Sequence, residues 1–155
     1  MTYIRGKPER ECGFTLLELM VVLAAGVVLA SLAIPAFNSY VERSRVAVAV
    51  GNIGTASLHL YRWQLNTRSF PATLAEAGIV LGNDPWGRPY RYLRVAGANV
   101  GLLRKDHNLV PINTDFDLYS MGPDGQSAAA LTAQPSRDDI VRANNGAYIG
   151  VAANY

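Results

Sequence analysis

The chain has 155 residues, half of them apolar, and a formal net charge of +2. That is enough for one domain plus an accessory helix, and too weakly basic to argue for nucleic acid by charge alone. Its only cysteine, Cys12, excludes an intramolecular disulfide, so a small exported domain made from this chain needs another staple.

The apolar residues are unevenly spread. None of residues 19–37 is charged, whereas the sequence after Tyr40 has an ordinary soluble composition. Ahead of that span, the leader MTYIRGKPERECG carries Arg5, Lys7 and Arg10 against Glu9 and Glu11. Basic residues there hold that end in the cytoplasm. A helix over residues 19–37 covers roughly 28 Å, close to the ~30 Å hydrocarbon core of a bilayer. One reading is a secretory signal peptide cut after Ser31-Leu32-Ala33; another is a simple membrane anchor. Both leave Glu18, a carboxylate at the start of the apolar stretch, with nothing to do.

The helix is expected to continue past the membrane to about Leu65, kinked by Pro35, with Gly26 a second weak point. Phe37, Tyr40, Val41, Val48, Ile53, Ala56, Leu60 and Trp63 recur at roughly helical spacing, and Glu42, Arg43, Arg45, Asn52 and Arg62 are placed toward water. The run from Asn66 to Pro71 stops the helix. Residues 71–78 read as a short helix closed by Gly78.

Asp84-Pro85 and Trp86-Gly87 mark a turn before a strand over residues 90–95. A second strand over residues 115–121 ends in the turn Gly122-Pro123-Asp124-Gly125. The connection at residues 96–114 is long, with room for a further strand near residues 100–103. The expected class is α+β: one long N-terminal helix on a small antiparallel sheet, with irregular C-terminal loops.

Arg88, Tyr90, Arg91, Tyr92 and Arg94 interleave bases with aromatics, a pattern that serves single-stranded DNA. The reading preferred here is a half-exposed strand with packed tyrosines and solvated arginines, which makes nucleic acid an unfavoured partner. His59 and His107 have no partners at metal-ligand spacing. No G-x-S-x-G elbow or comparable arrangement supports a hydrolase, so the chain reads as a non-enzyme. Asp124 suits a turn, and Asp138 or Asp139 an N-cap for Ile140-Val141-Arg142.

Gly13 followed by Phe14-Thr15-Leu16-Leu17-Glu18 resembles the prepilin cleavage motif of type IV pilins and type II secretion pseudopilins. The resemblance implies a pilin-like fold, a cut by prepilin peptidase between Gly13 and Phe14, and N-methylation of Phe14. It divides the chain into a leader (1–13), a transmembrane and assembly part of the helix (14–37), and a periplasmic globular domain (38–155). Physical chemistry gives Glu18 a use in that setting. The new Phe14 amine and the Glu18 carboxylate each cost several kcal/mol to bury alone. In a filament, Glu18 of one subunit facing the Phe14 amine of its neighbour offsets both costs and sets the register. Glu18 also lies where it favours the helix dipole, worth about 0.3–1 kcal/mol.

A second stretch, DPWGRPYRY followed by DLYSMGPDGQS, is similar to the C-terminal module of the major pseudopilin. Residues 96–114 are longer than in that family, and the end, DDIVRANNGAYIGVAANY, reads as an extension. The resemblance implies a calcium ion held by Asp124, Asp138 and Asp139, helped by backbone carbonyls of residues 118–126. It also implies an inner-membrane, single-pass protein that self-assembles into a helical periplasmic filament with minor pseudopilins on an inner-membrane assembly platform. The alternatives are a type IV pilin or minor pilin of a surface pilus, serving adhesion, motility or DNA uptake, and an exported soluble binding protein whose signal peptide is discarded.

Overall fold

The computed structural model describes Gly13 and residues 15–155. Residues 1–12 of the leader and Phe14, and with Phe14 the assigned scissile bond and methylation site, lie outside the described residues. The chain divides into two compact units, one ending at Tyr40 and the other Val41–Tyr155.

A single helix, α1 (Leu16–Thr67), runs through Pro35 without a break. Proline removes only one donor from the ladder, and apolar, helix-compatible residues flank it on both sides. Every described residue from Thr15 to Tyr40 is exposed. Leu16, Val27 and Leu32 keep 70% or more of their surface open.

In the second unit, α1 buries Ala49, Ile53, Ala56, Ser57 and Leu60. This stripe differs from the expected one at its start: Val48 is exposed and Ala49 is inside. Val48 lies five positions before Ile53, about 140° away at 100° per residue, whereas Ala49 lies four before it on the same face. Glu42 and Asn52 also depart from the solvent-facing assignment. Glu42 accepts a bond from the Trp86 indole Nε1 at 3.0 Å, and Asn52 donates to the Tyr90 hydroxyl at 2.9 Å. The polar tips of two packed aromatics thus find partners on the helix. The helix ends two residues later than expected, where Arg68 takes a left-handed conformation (φ 63°).

Residues 71–78 form one turn, not a helix. Thr73 Oγ1 accepts the Glu76 amide at 3.3 Å, the Glu76 carboxylate accepts the Ala72 amide at 2.6 Å, and left-handed Gly78 closes onto Ala75 at 3.0 Å. Both ends are capped with no interior left between them.

Four antiparallel strands follow in chain order: β1 (Arg91–Arg94), β2 (Phe116–Ser120), β3 (Ile140–Ala143) and β4 (Tyr148–Val151). β1 runs Arg91 opposite Tyr119 to Arg94 opposite Phe116, and β3 runs Ile140 opposite Val151 to Ala143 opposite Tyr148. The first two strands match the sequence reading. The strand placed near residues 100–103 is instead a 3-10 turn, Val100–Leu102, because Asn99 Oδ1 captures the Gly101 amide at 2.8 Å. The last two strands replace the expected irregular C-terminus. Asp138 and Asp139 therefore precede a strand and cap no helix.

Side chains alternate across the sheet. Phe116, Leu118 and Ile140 meet Ile53, Ala56 and Leu60 of α1 in one cluster. Val141 and Ala143 face the other way, packing with Ile112 and Leu131 under the long connection. Burying each large side chain contributes about 1.5–3 kcal/mol. Both sheet faces are covered, which explains the length of residues 96–114.

Candidate functional site

At its N-terminus α1 is capped by Thr15, whose Oγ1 accepts the Glu18 amide at 3.2 Å. Thr15-Leu16-Leu17-Glu18 has the spacing of a capping box, a sequence signal that the charge of Glu18 by itself does not reveal. Glu18 sits in the first turn and is exposed. No charged residue joins it on the helix until Glu42. The apolar surface therefore carries one carboxylate, at the end where a negative charge favours the helix dipole.

The second candidate is the loop from the Gly122 turn to Asp139. Asp84 prepares it. Its carboxylate accepts the Trp86 and Arg88 amides at 3.1 and 2.8 Å, and the Ser120 hydroxyl at 2.5 Å. This aims Arg88 across the turn, where Nη1 donates to the Gly122 carbonyl at 2.7 Å and to Pro123 at 3.3 Å. Gly122 (φ 59°) lies so close to Asp138 that a Cβ would stand 2.3 Å from its carbonyl oxygen. Only glycine fits there.

The three aspartates do not converge. Asp124 is exposed and its Oδ1 accepts the Gln126 amide at 2.7 Å, while Asp138 Oδ2 accepts the Asp124 amide at 3.1 Å. Asp139 is fully buried and faces Arg104, 2.5 Å from Nη2, and Ser127 Oγ donates to it at 2.6 Å. Burial pushes the Asp139 carboxyl up to about 6, against the opposing pull of Ser127 and Arg104. Among the described residues, no group of three or more His, Cys, Asp or Glu side chains is placed to hold a metal ion. Calcium asks for six to eight oxygens at 2.3–2.6 Å. Here a guanidinium stands at Oδ2 of the only fully buried carboxylate of the three, while Asp139 Oδ1 is buried without a hydrogen-bond partner; the three side chains as placed do not form a shared cation site.

Arg104 and Arg142 carry no sequence signal of their role. Arg142 is 1% exposed and joins Asp115, Tyr61 and the Phe116 ring. Burial alone would raise the Asp115 carboxyl, but Arg142, the Phe116 amide and the Tyr61 hydroxyl together hold it below the ordinary carboxylate range. No local pattern marks an arginine as buried.

The base-aromatic cluster is engaged internally. Tyr90 and Tyr92 are packed, with the Tyr92 hydroxyl on the Pro71 carbonyl at 2.8 Å. Arg94 donates to the Phe70 carbonyl at 3.1 Å, so Arg88 and Arg94 depart from the solvated placement and Arg91 keeps it. His59 and His107 are exposed.

Comparison with known proteins places these features. Residues 9–34 match the prokaryotic N-terminal methylation motif. The type II secretion system core protein G of Pseudomonas aeruginosa is 30% identical over 143 residues, spanning 79% of this chain and 90% of that protein. The core protein G of Aeromonas hydrophila is 29% identical, spanning 77% and 87%. A fimbrial protein of Neisseria meningitidis serogroup A is 28% identical, spanning 92% and 85%. No solved structure gives a significant match. With a methylation motif ahead of an exposed apolar helix, a four-stranded antiparallel sheet behind it, and a match spanning nine-tenths of a core protein G, the chain belongs to the type II secretion system core protein G family.

Proposed function

We propose that the chain is the major pseudopilin of a type II secretion system, a structural subunit rather than an enzyme. The observation that carries this reading is the exposed helical surface of residues 16–40 with Glu18 as its only charge. Prepilin peptidase cuts between Gly13 and Phe14 and the new N-terminus is methylated. Until assembly, residues 14–37 span the inner membrane with residues 38–155 in the periplasm. On assembly, Glu18 pairs with the Phe14 amine of a neighbouring copy, so that each charge offsets the other's desolvation. Correct register is the arrangement that satisfies both, and like subunits stack into a filament with minor pseudopilins on an inner-membrane platform.

Intact mass of the membrane-extracted protein tests the processing step. The expected product lacks residues 1–13 and carries one added methyl. A cut after Ala33 would leave a soluble protein and overturn the proposal.

A type IV pilin of a surface pilus is the second reading, favoured by the fimbrial match over 92% of the chain. Sheared cell-surface fractions separate the two. Abundant filaments outside the cell at native expression support the pilus, and retention in the envelope supports the pseudopilus.

A further inference from the structure

We propose that the loop 122–139 of this chain is stapled by Arg104, a cation built into the polypeptide, where the family resemblance implies calcium. Arg104 comes from the long connection between β1 and β2 and is 2% exposed. Its backbone amide is held by Asp117 Oδ2 at 2.7 Å, and Asp117 Oδ1 is held in turn by Asn113 Nδ2 at 2.9 Å. The guanidinium lies 4.4 Å above the Tyr119 ring, so β2 fixes its plane.

From that position it reaches three groups of the loop: the Asp139 carboxylate, the Ser127 hydroxyl and the Ala128 carbonyl. Ser136 Oγ donates to the same Ala128 carbonyl at 2.9 Å and accepts the Ala128 amide at 2.8 Å. Arg88 performs the corresponding service at the other end of the loop, on Gly122 and Pro123.

The chemistry is that of a metal staple. A positive centre gathers one carboxylate and neutral oxygens from separate parts of a loop with little apolar content. A guanidinium differs in being permanently charged, planar and covalently attached. A dication brought to Asp139 would meet that charge at hydrogen-bond distance in a buried site, where like charges repel strongly. The extra length of residues 96–114 acquires a second role beyond covering the sheet: it delivers the cation.

The test uses the full chain purified in detergent, with unfolding followed by tryptophan fluorescence. Trp63 and Trp86 both belong to the Val41–Tyr155 unit and report on it. The expected melting temperature is the same in calcium and in chelator, and isothermal titration with calcium gives no saturable heat. Arg104→Gln is expected to lower the melting temperature by several degrees in chelator. Stabilisation of the wild-type chain by calcium, with loss in chelator, overturns the proposal. So does saturable calcium binding that Asp139→Asn removes, or an Arg104→Gln chain that melts with the wild type. The wild-type measurements decide the matter even if Arg104→Gln does not fold. None of these outcomes touches the filament reading, which stands or falls on leader processing.

Discussion

Arg142 and Asp115 meet in a two-point pair, Nη1 to Oδ1 at 2.9 Å and Nη2 to Oδ2 at 2.6 Å, with the Tyr61 hydroxyl of α1 bonded to both side chains. The guanidinium also lies 4.0 Å above the Phe116 ring. One charged residue of β3 thereby ties helix, sheet and the 144–147 hairpin turn together, since the Tyr61 hydroxyl also lies 2.9 Å from the Asn145 carbonyl. Arg142→Ala strands a largely buried carboxylate and is expected to cost about 3–5 kcal/mol. Urea unfolding of the full chain in detergent, read by tryptophan fluorescence, measures it. Replacing Arg142 by Met and Asp115 by Leu together is expected to cost less than Arg142→Ala, because no charge is left unpaired. A double variant as unstable as the single one would show that packing, and not the pair, holds this corner.

The same pair has an acid signature. The folded Asp115 carboxyl titrates below its unfolded value, so its contribution is complete above the ordinary carboxylate range. It is lost as pH falls through the folded value. Asp115→Asn removes this contribution. The stability difference between wild type and Asp115→Asn is therefore largest at neutral pH and shrinks in acid. A difference that stays constant down to acid pH would mean that Asp115 titrates alike in both states.

Two glycines separate backbone strain from crowding. A Cβ added at Gly87 (φ 87°) would meet nothing within 4 Å, so Gly87→Ala suffers only the left-handed penalty, about 1–3 kcal/mol. Gly122→Ala meets that penalty and the Asp138 carbonyl as well. Its melting temperature is expected to fall further than that of Gly87→Ala. Equal losses would show that the turn relaxes away from Asp138.

Residues with a periodic or punctuated signal are legible in the sequence. The apolar span, β1, β2 and the Gly122 turn follow from hydropathy and turn chemistry. The β3–β4 hairpin has its own signal in Asn145-Gly146 between two apolar runs, where Asn144, Asn145 and Gly146 all take positive φ. The aspartates just before it imitate a helix cap, and that competing signal masks the strand. The loop around Asp139 leaves no such trace. Its partner Arg104 lies 35 positions away, and nothing about a single arginine in a long connection reports that it will be buried. Polar networks of this kind are set by tertiary placement, which leaves no period in the sequence.

Glu18 occupies a position with two physical roles, and substitutions at two sites distinguish them. Thr15 caps α1 through the Glu18 amide, so Thr15→Ala loses a cap worth about 1 kcal/mol while leaving the carboxylate in place. Glu18→Gln keeps the length and polarity of the side chain but removes its charge. If Glu18 served only the helix end, the two variants would impair assembly to a similar, small degree, since the dipole term is about 0.3–1 kcal/mol. If it pairs with the Phe14 amine of a neighbour, Glu18→Gln leaves a buried ammonium uncompensated at every subunit contact, a penalty of several kcal/mol each. The expected result is near-normal filament yield for Thr15→Ala and severe loss for Glu18→Gln, with leader cleavage retained in both. Immunoblots of the filament fraction against total processed protein read this ratio. Equal yields from the two variants would remove the charge pair and leave Glu18 as a helix cap.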